Sequence, residues 1–229
     1  FGYHLDENRR ADVVVDVGCE LDDVSDFGAL GYLVGRRVGG GVPYFRGVGS
    51  PTGDELKSLG ASMAASGSVA LYHMAGVTPE AGGVDVIRED AVEITVESLE
   101  EAYNALNSGV QEIDIVALGC PHASLDEIRE IASLLEGRGV RSELWVATSR
   151  GVRERAREEG FVEVIEQAGG RVVVDTCMVV APLEELGFRS LATNAGKAAV
   201  YCPSHCGVEV RFGSTRECID AAVRGRWGV

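Results

Sequence analysis

The chain has 229 residues, 45% of them apolar and 25% charged, with six prolines and no homopolymeric tract. This composition fits one large or two small globular domains and excludes a disordered or fibrous chain. A net charge of −15 argues against a nucleic-acid backbone or an anionic membrane surface as main partner. The sequence also shows no apolar run of membrane-spanning length and no signal-peptide core, which predicts a soluble cytoplasmic protein.

Short β-branched runs alternate with amphipathic stretches, which predicts an α/β fold: mostly parallel sheets with helices on both faces. Val13 to Val17 reads as a Val-rich strand, and Val24 to Val34 as a helix despite its glycines. Gly39 to Pro51 is turn-rich. Thr52-Gly-Asp-Glu55 has the spacing of a capping box opening a helix to about Ala65. Val69 to His73 and Glu93 to Val96 read as strands separated by a loop at Gly76 to Gly83. Ser98-Leu-Glu-Glu101 opens a helix to about Leu106.

Ile113 to Leu118 is a buried-type strand ending in Gly119-Cys120-Pro121-His122, where proline stops the ladder and the chain turns. Ser124-Leu-Asp-Glu127 caps a helix with Ile128, Ile131, Leu134 and Leu135 on one face. The pattern repeats with strand Glu143 to Ala147, turn Thr148-Ser149-Arg150, a charged helix from about Val152 to Glu159 and an amphipathic stretch to Ala168. Strand Arg171 to Asp175 ends in Thr176-Cys177, and Leu191 to Thr193 ends in Asn194. Val208 to Phe212 precedes a final helix from Ser214. A soft boundary near Gly109 divides the chain into 1–109 and 110–229, the second part carrying the chemistry-bearing cysteines.

In an open parallel sheet the strand carboxyl ends face one crevice. The groups just after strands are Cys120 with His122, Ser149 with Arg150, Cys177, and Asn194 with Lys197. Two soft ligands, two cations and several donors suit a metal or iron–sulfur centre beside a carboxylate or phosphate. Each has a plainer alternative: a cysteine fills core, His122 caps its helix or bonds a carbonyl, and Arg150 pairs with Glu154 one turn on. Only Lys57 and Lys197 are lysines among 21 basic residues, and Lys197 follows a strand end, although its segment lacks the full phosphate-loop spacing. Cys202-Pro-Ser-His-Cys206 has zinc-like spacing but no second ligand pair, so both cysteines read as structural. Cys19 and Cys218 read as packing thiols, and His4 and His73 have no ligand-like neighbours.

Leu118-Gly-Cys-Pro-His-Ala-Ser124, Leu144-Trp-Val-Ala-Thr-Ser-Arg150, Asp175-Thr-Cys-Met-Val-Val-Ala-Pro182 and Thr193-Asn-Ala-Gly-Lys197 together resemble the large subunit of the aconitase X family. His4-Leu-Asp-Glu-Asn-Arg9, Leu71-Tyr-His73 and Gly76-Val-Thr-Pro-Glu-Ala81 fit the same pattern. The resemblance implies aconitase-like three-layer subdomains in a hydro-lyase whose iron–sulfur cluster, 4Fe–4S foremost or else 2Fe–2S, is held by three cysteines. Cys120 and Cys177 match two of them. In the archaeal form the substrate is mevalonate 5-phosphate, dehydrated to anhydromevalonate phosphate in a modified mevalonate pathway. The alternatives are dehydration of cis-3-hydroxy-L-proline, as in bacterial relatives, and a non-catalytic scaffold binding a metabolite or subunit.

The implied partners are a small swivelling subunit, a phosphorylated or carboxylate substrate, and an N-terminal segment or chain that supplies the third cysteine. The chain starts at Phe1 without Met and enters structured-looking sequence at once, the pattern of a piece of something longer. By itself it is expected to be inactive. Ser149, Arg150, Asn194, Lys197 and His122 are the expected substrate-binding residues; the sequence assigns no catalytic base.

Overall fold

The computed structural model describes residues 2–83 and 85–228. The chain forms two compact units, one ending at Ala102 and one starting at Tyr103.

The first unit contains β1 (Ala11–Val17), α1 (Val24–Val38), β2 (Pro43–Arg46), α2 (Gly53–Gly67), β3 (His73–Met74) and β4 (Ile87–Val96). Its strands form a parallel sheet in the order β3-β2-β1-β4. Asp23 starts α1 by accepting from the backbone N–H groups of Ser25 and Asp26. Thr52 and Glu55 close a reciprocal capping box on α2. The glycines that weaken α1 as an isolated helix have a packing reason. A Cβ on Gly67 would overlap the Gly35 carbonyl, so this glycine lets α2 approach α1 backbone to backbone.

The division falls within α3 (Glu100–Leu106), and the second unit continues with β5 (Ile115–Ala123), α4 (Leu125–Leu135), β6 (Glu143–Thr148), α5 (Arg150–Glu158), α6 (Phe161–Gln167) and β7 (Arg171–Val174). There follow β8 (Ser190–Thr193), α7 (Gly196–His205), β9 (Glu209–Phe212) and α8 (Thr215–Arg224). The sheet is parallel, in the order β7-β6-β5-β8-β9. Ile128, Ile131 and Leu135 of α4 join Val116, Leu118, Val146, Ile165 and Ile219 in one buried cluster. Each such side chain contributes about 1.5–3 kcal/mol through removal of apolar surface from water. Because parallel crossovers are right-handed, the step from β5 outward to β7 and the opposite step from β8 to β9 assign α4 to α6 and α7 to opposite faces. Cys202 of α7 is fully buried and lies outside that cluster.

Both sheets therefore share one plan. The first strand is central, the next two add on one side, and the fourth adds on the other. In each, a Gly-Cys pair stands near the carboxyl end of the first strand, just after β1 and within the last five residues of β5, and a helix N-cap follows four residues after the cysteine: Cys19 then Asp23, and Cys120 then Ser124.

Four elements differ from the sequence expectation, among them β4, which begins at Ile87 and not at Glu93. The turn-rich stretch from Gly39 to Pro51 contains β2, a four-residue strand too short to show an alternation between its flanking glycines. The strand expected at 69–73 is confined to His73–Met74. Strand β5 extends beyond Pro121 to Ala123, but its pairing with β6 breaks after Leu118 and resumes only at Ala123 opposite Thr148. The proline thus sits in the unpaired interval, where its missing N–H costs no ladder bond.

Candidate functional site

The strand order of the second unit reverses between β5 and β8. In open α/β sheets the crevice for ligands opens at that reversal, beyond the strand carboxyl ends. The residues there are Gly119, Cys120 and His122 in the carboxyl-terminal part of β5, and Asn194 to Lys197 after β8.

Gly119 has φ +87°, and a Cβ on it would strike the Ala147 carbonyl and come within 3.1 Å of the Ala123 nitrogen. Only glycine lets the chain pass this close to β6 while turning Cys120 off the strand. The Cys120–Pro121 peptide is cis. Beyond it, the Thr148 hydroxyl donates to the Ala123 carbonyl at 2.6 Å, tying the ends of β5 and β6 together.

The Cys120 thiol lies close enough to Cys177 and to the Lys197 ammonium for both to act on it electrostatically. Burial, reinforced by Cys177, pushes the Cys120 thiol up to about 12, and the Lys197 charge opposes that rise. Cys202 and Cys206 form a second pair one helical turn apart on α7. The Cys202 thiol is pushed up by burial. The Cys206 thiol is also raised by burial, and it donates to the carbonyls of Met178 at 3.4 Å and Val179 at 3.5 Å, just after Cys177. Buried, protonated thiols of this kind are inert packing groups.

The structure gives the other expected site residues definite partners. His122 Nε2 donates to the Thr176 carbonyl at 2.9 Å. Arg150 does not pair with Glu154; its Nε donates to Asp175 Oδ2 at 2.8 Å, and its Nη2 binds the same oxygen. The Ser149 hydroxyl caps α5 by accepting from the Val152 N–H. Asn194 is buried, its Nδ2 donating to Thr215 Oγ1 at 3.1 Å. Lys197 is half-buried, and among the described residues no carboxylate pairs with it. It lies in the first turn of α7, whose N-cap Ala195 offers no side-chain cap, so the positive end of that helix and an ammonium group point the same chemistry at the crevice.

Asp175 is the site residue that the sequence reading missed. It has φ +57°, in the left-handed region that Asp tolerates better than most residues, and it carries the Arg150 guanidinium. The available signal was a carboxylate wedged between a strand and a cysteine. Cys19 also needs correction as a packing thiol. It is half-exposed after β1, near the Asp26 and Glu97 carboxylates, because a strand carboxyl end opens to the surface. Cys218 is fully buried in the core cluster. His73 is buried with Nε2 on the Arg9 carbonyl at 2.6 Å, and His4 is exposed.

Family models of the aconitase X second domain and third domain match residues 11–104 and 113–224. The chain is similar to the phosphomevalonate dehydratase large subunit of Methanocaldococcus jannaschii, 46% identical over 96% of this chain and 57% of that protein. The corresponding subunit of Methanothermobacter thermautotrophicus is 50% identical over 93% of this chain and 53% of that protein. A cis-3-hydroxy-L-proline dehydratase of Pseudomonas aeruginosa is 39% identical over 98% of this chain and 41% of its own length. In structure, the chain is similar to the crystal structure of Thermococcus kodakaraensis aconitase X in its holo-form, with a TM-score of 0.90, 40% identity, and coverage of 97% of this chain and 57% of that one. The chain thus spans little more than half the length of the archaeal relatives it matches.

Proposed function

This chain belongs to the aconitase X family, and from that membership we propose that it is part of the large subunit of a cytoplasmic hydro-lyase dehydrating mevalonate 5-phosphate to anhydromevalonate phosphate. It works with a small swivelling subunit and with an N-terminal segment or chain that supplies a third cysteine. The observation that carries this reading is the placement of the Cys120–Cys177 thiol pair beside Lys197 at the reversal of strand order.

The donor set fits part of an iron–sulfur mount. Two cysteines from the ends of β5 and β7 lie within electrostatic reach of each other across the end of β6, while among the described residues no three His, Cys, Asp or Glu side chains converge on a single ion. Cys120 and Cys177 would hold the cluster, 4Fe–4S in our reading, together with a third sulfur from the N-terminal portion. When bound, the cluster supplies a Lewis-acidic iron for the leaving hydroxyl. Lys197 and the free N–H groups of the first turn of α7 bind the phosphate or carboxylate of the substrate, with charge-assisted bonds in a partly desolvated crevice. Asn194, through Thr215, fixes the turn that aims them. Ser149 sets the start of α5 at the next strand end.

The higher identity to the two methanogen subunits than to the hydroxyproline dehydratase supports the phosphate ester as substrate. The test is anaerobic reconstitution of this chain with an N-terminal portion and a small subunit. NMR then follows mevalonate 5-phosphate and cis-3-hydroxy-L-proline offered together. Loss of water from the phosphate ester alone is expected. Loss from the amino acid alone would move the protein to the second activity, and a colourless assembly that binds ligand without turnover would make it a scaffold.

A further inference from the structure

Residues 175 to 177 leave β7 through a conformation that a side chain disfavours, and two groups from other strand ends seize them. The Asp175 N–H still donates to the Thr148 carbonyl at 3.2 Å, completing the β6–β7 ladder. The chain then turns left-handed at Asp175, whose carboxylate is bound by Arg150 from the start of α5. One residue on, the Thr176 carbonyl accepts from His122, which stands two residues after Cys120. The next residue is Cys177. Both fastenings therefore act within two residues of that thiol, and one comes from the loop that carries its partner.

We propose that Arg150 and His122 are positioning residues, which hold the Cys177 segment so that its thiol meets Cys120, and that neither binds substrate. The proposal rests on the reading of Cys120 and Cys177 as the cluster-holding pair. Arg150 already has a carboxylate on it, and the ring nitrogen His122 would offer an anion is spent on a backbone carbonyl. Lys197 carries no such partner among the described residues, so the burden of anion binding falls there.

The test needs no cluster. Phenylarsine oxide bridges two thiols, forming two As–S bonds as both thiol protons leave with the arsenical oxygen in one water. Its affinity depends on the effective concentration of the second thiol once the first is bound. The probe is titrated against the reduced 229-residue chain, and the bridged cysteines are mapped by mass spectrometry. Wild type is expected to bridge Cys120 and Cys177. Arg150→Gln, Asp175→Ala and His122→Ala should each weaken this about 3- to 10-fold, and Arg150→Lys should recover most of the loss. The thermal midpoint and the rate of single-thiol alkylation at Cys120 should stay as in wild type, which a general loosening of the fold would not allow. Wild-type affinity in all three variants would overturn the positioning role while leaving the thiol pair in place. Full affinity in Asp175→Gly would overturn it for Arg150, because the left-handed turn alone would then suffice. A wild-type chain in which the arsenical never bridges Cys120 and Cys177 would overturn the cluster reading and the proposal together.

Discussion

His122 Nε2 lies 2.9 Å from the carbonyl oxygen of Thr176. In the sheet, β6 stands between β5 and β7, so this bond passes over the end of one strand to join the loops of its two neighbours. It spans 54 positions in sequence and brings together the two segments that carry Cys120 and Cys177. A histidine two residues after a cysteine would suggest a ligand, yet here its ring is occupied by the backbone. The groups left for a substrate are those at the other side of the reversal, after β8.

Lys197 is accordingly the residue whose loss should be felt most in substrate binding. In the reconstituted assembly, Lys197→Met should lower kcat/KM about 100-fold, the scale of one charge-assisted contact of about 2.7 kcal/mol, mainly through KM. Lys197→Arg should keep part of the activity. Steady-state kinetics at fixed cluster content checks this, and an unchanged KM would remove Lys197 from the site.

The Cys120 thiol should be slow to alkylate. With its folded-state value at about 12 against 9.0 for an ordinary thiol, iodoacetamide at pH 8 should modify it roughly 1,000-fold more slowly than an unfolded cysteine. Lys197→Met should slow it further, since the ammonium is what opposes the rise. The same shift has a stability consequence. A folded value raised above the unfolded one contributes stability that is complete below about pH 9 and lost as pH rises towards 12. Urea midpoints of wild type and Cys120→Ala across that range should converge as the solution becomes alkaline.

Gly119→Ala combines two penalties, a left-handed backbone and a collision with the Ala147 carbonyl. The expected cost is about 3 kcal/mol or more, because the obstacle is backbone of β6 and cannot rotate aside. Denaturant unfolding followed by circular dichroism measures it. A variant as stable as wild type would mean that β5 leaves β6 earlier than described.

The helix after Cys120 offers a milder perturbation. Ser124 and Glu127 satisfy each other's backbone N–H groups, at 3.1 Å and 2.8 Å. Ser124→Ala should cost about 1 kcal/mol and leave the Cys120–Cys177 pairing intact, since the cap lies beyond the Thr148 tie that secures the end of β5. A midpoint shift accompanied by lost arsenical bridging would show that α4 itself holds the thiol.

Much of this molecule was legible as sequence because the signals were local. Thr52 to Glu55 and Ser124 to Glu127 both form closed capping boxes, since each depends on two side chains three residues apart and little else, whereas the box expected at Ser98 to Glu101 is replaced by a Ser98 hydroxyl accepting from the Glu100 N–H. The β-branched runs became parallel strands, and every residue expected at a strand end in the second half lies at one, because a parallel sheet brings all its carboxyl ends to one edge. Strand β2 escaped notice because four residues between glycines carry no period, and its burial comes from neighbours far along the chain.

The sequence by itself determined most of the helices and strands, the α/β class and the family, which follow from local periodicity and from short motifs read together. Only the tertiary structure decided the strand order, and with it the two reversals and the Gly-Cys plan common to both units, which their differing sequences conceal. It alone also decided which polar groups are already engaged. Arg150 met Asp175 instead of Glu154, and His122 met a carbonyl 54 residues away, because hydrogen-bond partners are chosen by distance in space, which a one-dimensional pattern does not contain.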